Sequence, residues 1–127
     1  MKLLIDLQVF NTSSSRRGIG RVAHALISGI ISHESNIEPI FLRWTERDDP
    51  KALFPKFSRP YREIRMFSKN LATEMYAYQY EQILLDYRSW YDAIYNPNPL
   101  MMNVIFPLSV PADRKLFLTV YDFIPAL

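Results

Sequence analysis

Short apolar runs alternate with longer segments of helical periodicity, and this alternation constrains the fold more than any other feature of the chain. Leu3 to Phe10 is a run rich in Leu, Ile and Val, as in a strand covered on both faces. A helical pattern follows, in which the row of Val22, Leu26 and Ile30 and the adjacent row of Ala23, Ile27 and Ile31 predict one broad apolar face. Residues 37–44 are the next strand candidate, so the order predicts a βαβ unit.

The second half of the chain continues the alternation. Residues 45–62 are charged and rich in proline, which predicts a long surface connection with at most one helical turn. The longest helical pattern runs from Leu71 to Trp90, and further apolar runs suit strands or buried segments at 63–67, 92–95, 103–108 and 115–120. We therefore predict one α/β, Rossmann-like domain over residues 1–127, with a mostly parallel sheet and helices on both faces. Because the chain stops on Ala126-Leu127 directly after a strand pattern, we expect the whole protein to continue beyond it.

Composition excludes several classes of function. The chain has no cysteine, which rules out disulfides, Cys-ligated zinc and thiol catalysis. The net charge of +2 is too small to indicate a nucleic-acid partner. The first residues lack the pattern of a signal peptide, because Asp6 interrupts the apolar run. We expect a cytoplasmic protein, with peripheral contact at the inner face of the plasma membrane as an option.

Ligands of open parallel sheets bind outside the carboxyl ends of the strands, which selects three places in this sequence. The first is the loop after the first strand, from Gln8 to Arg21. The second is Asn96 with its neighbours, and the third is Tyr121-Asp122. A parallel sheet would bring these distant segments to one edge. Asp122 there would either orient a sugar hydroxyl or cap the following turn.

The segment from Arg16 to Arg21 is the most informative of the three. Gly18 and Gly20 precede the first helix, where backbone amides can bind an anion and glycine permits close approach. Arg16, Arg17 and Arg21 would add positive charge to such a site. The spacing from the strand is too long for a tight dinucleotide turn, so a polar loop over a phosphate fits better. The alternative is that the glycines only turn the chain and the arginines are solvated.

The remaining polar residues favour structural roles. Asp6 lies inside the first strand and is interpreted as a carboxylate bonded to neighbouring backbone amides. His24 and His33 are nine residues apart, a spacing that does not suit a ligand pair on a helix. The tyrosines of the long helix suit packing more often than stacking on a sugar or lipid. We find no motif for a metal site and expect no metal and no bound cofactor.

Two motifs resemble a known family. Arg16-Arg17-Gly18-Ile19-Gly20-Arg21-Val22, after the first strand, is similar to the "RGIGRY" opening of family 4 (group 1) glycosyltransferases. The segment Thr119-Val120-Tyr121-Asp122-Phe123-Ile124-Pro125 is similar to their "T-x-H-D-x-I-P" segment. Together the motifs frame the whole chain, although the middle carries no family signature. Tyr121 replaces the usual histidine, and Val22 replaces the usual tyrosine.

The resemblance implies a GT-B architecture, in which two Rossmann-like lobes enclose the active site. This chain would be the acceptor-side N-terminal lobe of a retaining enzyme that moves a sugar from a nucleotide-sugar to a glycan or glycolipid. The typical products are surface polysaccharide or lipopolysaccharide. Gly18 and Gly20 would contact the donor diphosphate, while Tyr121 would bind sugar without the neutral-pH titration of histidine. The donor-binding C-terminal lobe is not in this sequence, so the chain alone should be inactive and no catalytic residue is assigned.

Two other classes of function stay open on the sequence alone. A non-catalytic nucleotide-binding module or an NAD-dependent Rossmann oxidoreductase would need an acidic residue after the second strand to hold a ribose. Glu46 is the candidate, although it comes later than the usual spacing. A purely structural interaction domain, with the tyrosine-rich helix as its contact surface, is the other alternative.

Overall fold

The fold is described by a computed structural model covering residues 1–11, 18–44, 48–66, 73–97 and 109–119. Within these residues five strands form one sheet: β1 (Lys2–Asp6), β2 (Glu38–Arg43), β3 (Arg62–Arg65), β4 (Ala93–Asn96) and β5 (Lys115–Leu118). Three α-helices are α1 (Gly18–His33), α2 (Pro50–Leu53) and α3 (Thr73–Asp86). Short 3₁₀ helices occupy Gln8–Asn11 and Arg88–Trp90. The predicted α/β alternation is confirmed.

The sheet is parallel at every pairing, in the order β3-β2-β1-β4-β5. In the register, Ile5 is paired with Phe41 on one side and with Tyr95 on the other. The central strand β1 is buried from Leu3 to Asp6, because it has a strand on each side and helices above and below. This explains why its sequence is almost continuously apolar rather than alternating.

Helix α1 covers one face of the sheet. Its buried residues Ala23, Ile27 and Ile31 follow the four-residue spacing and pack in one cluster with Ile5 and Phe41. The parallel row that begins at Val22 and Leu26 was expected to share the buried face. In the structure these two side chains are 44% and 41% exposed, because a straight helix can turn only one row fully toward a flat sheet.

Helix α3 covers the opposite face. Its inward-facing residues Tyr80, Ile83 and Leu84 are buried. They pack with Leu4 and Ile94 from the strands and form the second buried cluster. The outward row is exposed at Met75, Tyr78 and Leu85. Helices therefore lie on both faces of the sheet, as predicted, and most of the tyrosine-rich pattern reflects packing.

Several element boundaries differ from the sequence-based expectation. The first strand ends at Asp6 and continues as a 3₁₀ helix instead of running to residue 10. The long helix spans 73–86, and a separate 3₁₀ turn follows. The proline-rich connection is more than surface: α2 is capped by the Asp49 side chain, and Asp48 and Phe54 are buried. The apolar run at 103–108 lies outside the described residues.

The C-terminal end of α1 is closed by a side chain from the connection. The Arg59 guanidinium donates to four backbone carbonyls around that end, with nitrogen–oxygen distances of 2.5 to 3.3 Å; the acceptors are Ile31, Glu34, Ser35 and Ile37. The last carbonyls of a helix have no partner within the helix, and a cation near them also suits the helix dipole. Arg59 therefore ties α1 to the segment that leads into β3.

Candidate functional site

The strand order has one reversal point: strands are added on one side of β1 as far as β3, and the next strand is added on the other side of β1. From β1 the chain crosses on the α1 side to β2 and β3, and then returns through α3 to β4 on the other side of β1. In such sheets the ligand crevice lies outside the carboxyl ends of the two strands at the reversal. Those strands are β1 and β4, and they end at Asp6 and Asn96.

Asp6 is the centre of a buried polar cluster behind this crevice. Its carboxylate accepts hydrogen bonds from the side chains of four residues and from one backbone amide. The shortest comes from the Tyr80 hydroxyl at 2.6 Å, followed by the Gln8 backbone amide at 2.8 Å. The Trp44 indole donates at 3.2 Å, while the Asn96 amide and the Gln8 amide each donate at 3.3 Å. The cluster joins β1, β4, α3 and the residue after β2.

Burial dominates the titration of this carboxylate. Removal from water raises the pKa of Asp6 to about 6, and the hydrogen bonds from Tyr80, Gln8 and Trp44 act in the opposite direction. Burial also raises the pKa of Tyr80 well above 10, and the neighbouring Asp6 charge adds to that rise. Tyr80 therefore stays a neutral donor. Because Asp6 is only 1% exposed, it is placed to hold the ends of the strands rather than to touch a ligand directly.

A second polar group fixes the neighbouring end of β2. The fully buried Asp48 carboxylate accepts from the Trp44 backbone amide at 2.6 Å and from the Asn11 side chain at 2.7 Å. Its other oxygen lies 3.6 Å from the Arg43 guanidinium, which also binds Glu63 at 3.1 Å. These contacts hold the segment after β1 against the segment after β2, and so fix the carboxyl ends of both strands relative to each other.

The predicted glycine segment begins α1 at this edge of the sheet. Gly18 is the first residue of α1 and is exposed, and a Cβ built on it would meet nothing within 4 Å. Gly20 is buried, and Arg21 is exposed. Ala23, the small residue at the third position of the fingerprint, is fully buried in the α1 cluster, as helix–sheet packing there requires. Arg16 and Arg17 lie outside the described residues.

Of the other two predicted segments, the structure describes only Asn96 at this edge. Asn96 ends β4, but its side chain is 2% exposed and is directed at Asp6. Thr119 follows β5; its amide donates to the Asn96 carbonyl, and its hydroxyl lies 2.6 Å from the Tyr95 hydroxyl. Tyr121 and Asp122 lie outside the described residues. The binding roles assigned to Asn96, Tyr121 and Asp122 stay predictions.

Sequence reasoning found only part of the Asp6 cluster. The expected bond from a neighbouring backbone amide is present, at Gln8. The partners Trp44 and Tyr80 were missed, because they are 38 and 74 residues away and no local pattern links them to Asp6. The sequence feature that could have indicated the cluster is Asp6 itself, a polar residue in an otherwise apolar strand. When buried, such a carboxylate needs hydrogen-bond donors from other parts of the fold.

Other features of the described residues bear on the kind of site. His24 is half-buried, with its Nε2 2.6 Å from the Leu53 carbonyl and its ring stacked on Phe54. Among the described residues no group of three or more His, Asp or Glu side chains is arranged to hold a metal ion. None of the helices in that part of the chain is long and apolar enough to span a bilayer.

The strand order defines a class: a doubly wound, Rossmann-like α/β domain whose strand order reverses between β1 and β4. Comparisons with protein-family models, with curated proteins and with solved structures gave no match to this chain. Any assignment beyond the class therefore rests on the residues themselves.

Proposed function

We propose that this chain is the acceptor-side, N-terminal lobe of a retaining glycosyltransferase of the GT-B kind. The donor would be a nucleotide-sugar, and the acceptor a glycan or glycolipid at the inner face of the plasma membrane. The observation that carries the proposal is the position of Gly18 and Gly20: they begin α1, the helix that follows β1, one of the two strands at the strand reversal. The resemblance of residues 119–125 to the second family segment supports the same assignment.

In this proposal, the first turn of α1 binds the diphosphate, and the residues at the ends of β1 and β4 support it. The first amides of α1 have no partner within the helix, and the dipole of its 16 residues favours an anion there. The open space at Gly18 would let a diphosphate approach the backbone closely. Arg21, exposed in the first turn, would add a positive charge. Asp6 and Asn96 would keep the strand ends in place beneath the ligand.

The alternative of an NAD-dependent enzyme gains no support from the described residues. A ribose would need a carboxylate after β2 that is open to the crevice. Asp48, which follows β2, is fully buried, and its carboxylate is bonded to Trp44 and Asn11. Glu46 lies outside the described residues. Binding of NAD at micromolar concentration would still favour this alternative over the glycosyltransferase.

The direct test is activity of the protein encoded by the complete gene. A panel of nucleotide-sugars is offered with and without a membrane or glycan extract, and release of nucleoside diphosphate is followed. We expect release with one donor, and none from residues 1–127 alone, because the proposed donor-binding lobe is missing. Absence of release with every donor would contradict the proposal, as would sugar transfer by the isolated chain.

Two glycines of α1 provide a matched pair for this assay. At both Gly18 and Gly29 the space that a Cβ would occupy has no other atom within 4 Å, so alanine fits at either position. Alanine at a helical position should stabilise the fold by about 0.4–1 kcal/mol in each case. We expect only Gly18→Ala to weaken donor binding, because Gly29 lies about three turns away from the crevice. Equal activity of the two variants, measured alongside their unfolding midpoints, would remove Gly18 from the diphosphate site.

A further inference from the structure

A cleft of about 320 Å³ opens at the opposite edge of the sheet, where the strands begin. It is lined by the first residues of β1, β2 and β3, which are Lys2, Glu38 and Arg62, and by the aromatic side chains of Tyr61 and Trp90. Its size lies at the lower end of the range for small-molecule sites. The cleft is separated from the crevice by the full length of the strands, so the proposed glycosyl transfer makes no use of it.

The walls of the cleft are apolar and well supported. Buried Pro39 and Ile40 form part of the lining, and half-buried Tyr61 and Trp90 bound it. Trp90 packs its ring against the edge of Tyr87, with a centroid distance of 4.8 Å, and so belongs to the core on the α3 side. A half-buried tryptophan anchored in this way offers a rigid surface to a flat ligand.

Positive charge is in excess at this edge. Neither Lys2 nor Arg62 forms an ion pair with a carboxylate among the described residues, and the Arg62 guanidinium lies 4.7 Å from the centre of the Trp90 ring. Arg59 is committed to the carbonyls at the end of α1. Glu38 is the acid in the lining, and Asp92, whose carboxylate accepts from the Lys2 backbone amide, lies next to Lys2; these two acids against Lys2, Arg59 and Arg62 leave a net charge of +1.

We propose that this cleft binds a small phosphate ester of a flat ring compound. A stacked guanidinium keeps its N–H edge available for two oxygens of a phosphate, and the Lys2 ammonium supplies a second positive charge. Lys2 and Arg62, which form no ion pair among the described residues, are the two cations available to the phosphate, and the nearby Glu38 opposes them. The ring would lie on the apolar lining beside Trp90 and Tyr61. The proposal is independent of the proposed glycosyl transfer.

The two tryptophans of the chain allow the two edges to be followed separately. Trp44 lies at the carboxyl edge, bonded to Asp6, while Trp90 lies in the cleft. The indole N–H signals are followed by NMR during titration with phenyl phosphate, and they are assigned with Trp90→Phe. We expect a saturable shift of the Trp90 signal with little change at Trp44. Phenol and inorganic phosphate, which each carry half of the chemistry, should bind more weakly by about tenfold or more.

Variants test the charge assignment. Arg62→Ala should weaken phenyl phosphate binding by about tenfold, while Glu38→Gln should strengthen it because one negative charge is removed. Both positions are exposed, so the unfolding midpoint serves as a check that the fold is kept. The proposal is overturned if phenyl phosphate leaves the Trp90 signal unchanged at millimolar concentration, if it shifts only Trp44, or if inorganic phosphate binds equally well.

Discussion

Asp6 is the residue at which two opposing effects on one carboxyl group are best separated. Five hydrogen-bond donors favour its ionised form, while complete burial favours the neutral form. Burial is the larger effect, because the pKa is raised from 3.8 to about 6. Near neutral pH the ionised Asp6 carboxylate therefore lowers the free energy of unfolding. Its hydrogen bonds nevertheless fix the geometry where β1, β4 and α3 meet.

The raised pKa predicts a specific dependence of stability on pH. Between about pH 4 and pH 6 the folded chain keeps the Asp6 proton that the unfolded chain has lost, so the free energy of unfolding falls as the pH rises. The shift from 3.8 to about 6 corresponds to about 3 kcal/mol at most. Asp6→Asn cannot titrate. Its stability deficit relative to the unaltered chain should therefore shrink as the pH rises from about 4 to about 7 in urea unfolding.

The comparison between the two chains removes the titration of all other groups. A constant deficit across this pH range would show that the pKa of Asp6 is close to its usual value in the folded protein. A deficit that grows with pH would show that the five donors outweigh burial and that the carboxylate stabilises the fold when ionised.

At the scale of the element, α1 depends on a partner outside itself at its last turn. Its inward row packs on the sheet along the whole helix, yet the Ile31 carbonyl in its last turn accepts from Arg59, which lies 28 residues further along the chain. The guanidinium also lies 5.3 Å from the centre of the Phe57 ring, so the side chain is held in place from both sides.

Arg59→Ala should therefore destabilise the chain by about 1–3 kcal/mol, because the part-buried carbonyls of Ile31 and Ile37 lose a charged donor together. Lys56→Ala is the matched control: Lys56 is exposed and lies in the same connection. The unfolding midpoint should drop only for the Arg59 variant, and protection of the amides near residues 30–34 should fall with it. Identical midpoints for the two variants would mean that water replaces the guanidinium without cost.

Elements with a strong local pattern could be predicted from the sequence, and elements defined by distant partners could not. The burial of β1 and the inward row of α1 followed from apolar spacing alone. The end of β1 at Asp6 could not be predicted, because the chain turns there to bring the Gln8 amide onto a carboxylate held by Tyr80 and Trp44. In the proline-rich connection, α2 is the one helical turn that the sequence allows, but the burial of Asp48 and Phe54 could not be predicted, because their partners Asn11 and Phe10 lie far away in the chain.

The candidate site shows the same division. The rule for parallel sheets placed the segment that contains Gly18, Asn96 and Tyr121-Asp122 at one edge; the structure has Gly18 and Asn96 there, while Tyr121 and Asp122 lie outside the described residues. That rule says nothing about whether a side chain points outward, and Asn96 points inward at Asp6. The cleft at the opposite edge had no signal in the sequence, because Lys2, Arg62 and Trp90 come together only through the register of the strands.

At the scale of the whole molecule, the sheet has a gradient of burial from its centre to one edge. All residues of β4 are buried and four of the five in β1 are, whereas β5 has one half-buried residue among exposed ones. Phe117 and Leu118 in β5 are 48% and 43% exposed. Local opening should therefore begin at β5 and spread inward.

Amide hydrogen exchange tests this gradient. We expect the amides of β1 and β4 to exchange slowest, near the rate set by global unfolding, and those of β5 to exchange at least about tenfold faster. The reason is that β5 contributes only the half-buried Leu116 to a buried cluster, whereas β1 contributes residues to both clusters. Uniform exchange across all five strands would instead mean that the sheet opens as one cooperative unit.

The central place of β1 also has a consequence for synthesis on the ribosome. Asp6 is synthesised 90 residues before its partner Asn96. At about 5–20 residues per second, one side of this apolar strand waits about 5 to 18 s for β4. During that interval the nascent chain can pair β1 with β2 only, and its other side is open to chaperones or to neighbouring chains on the same messenger RNA. Codons that slow translation between residues 44 and 93 would lengthen this exposed phase, and the yield of folded protein should respond to them more than to slow codons elsewhere.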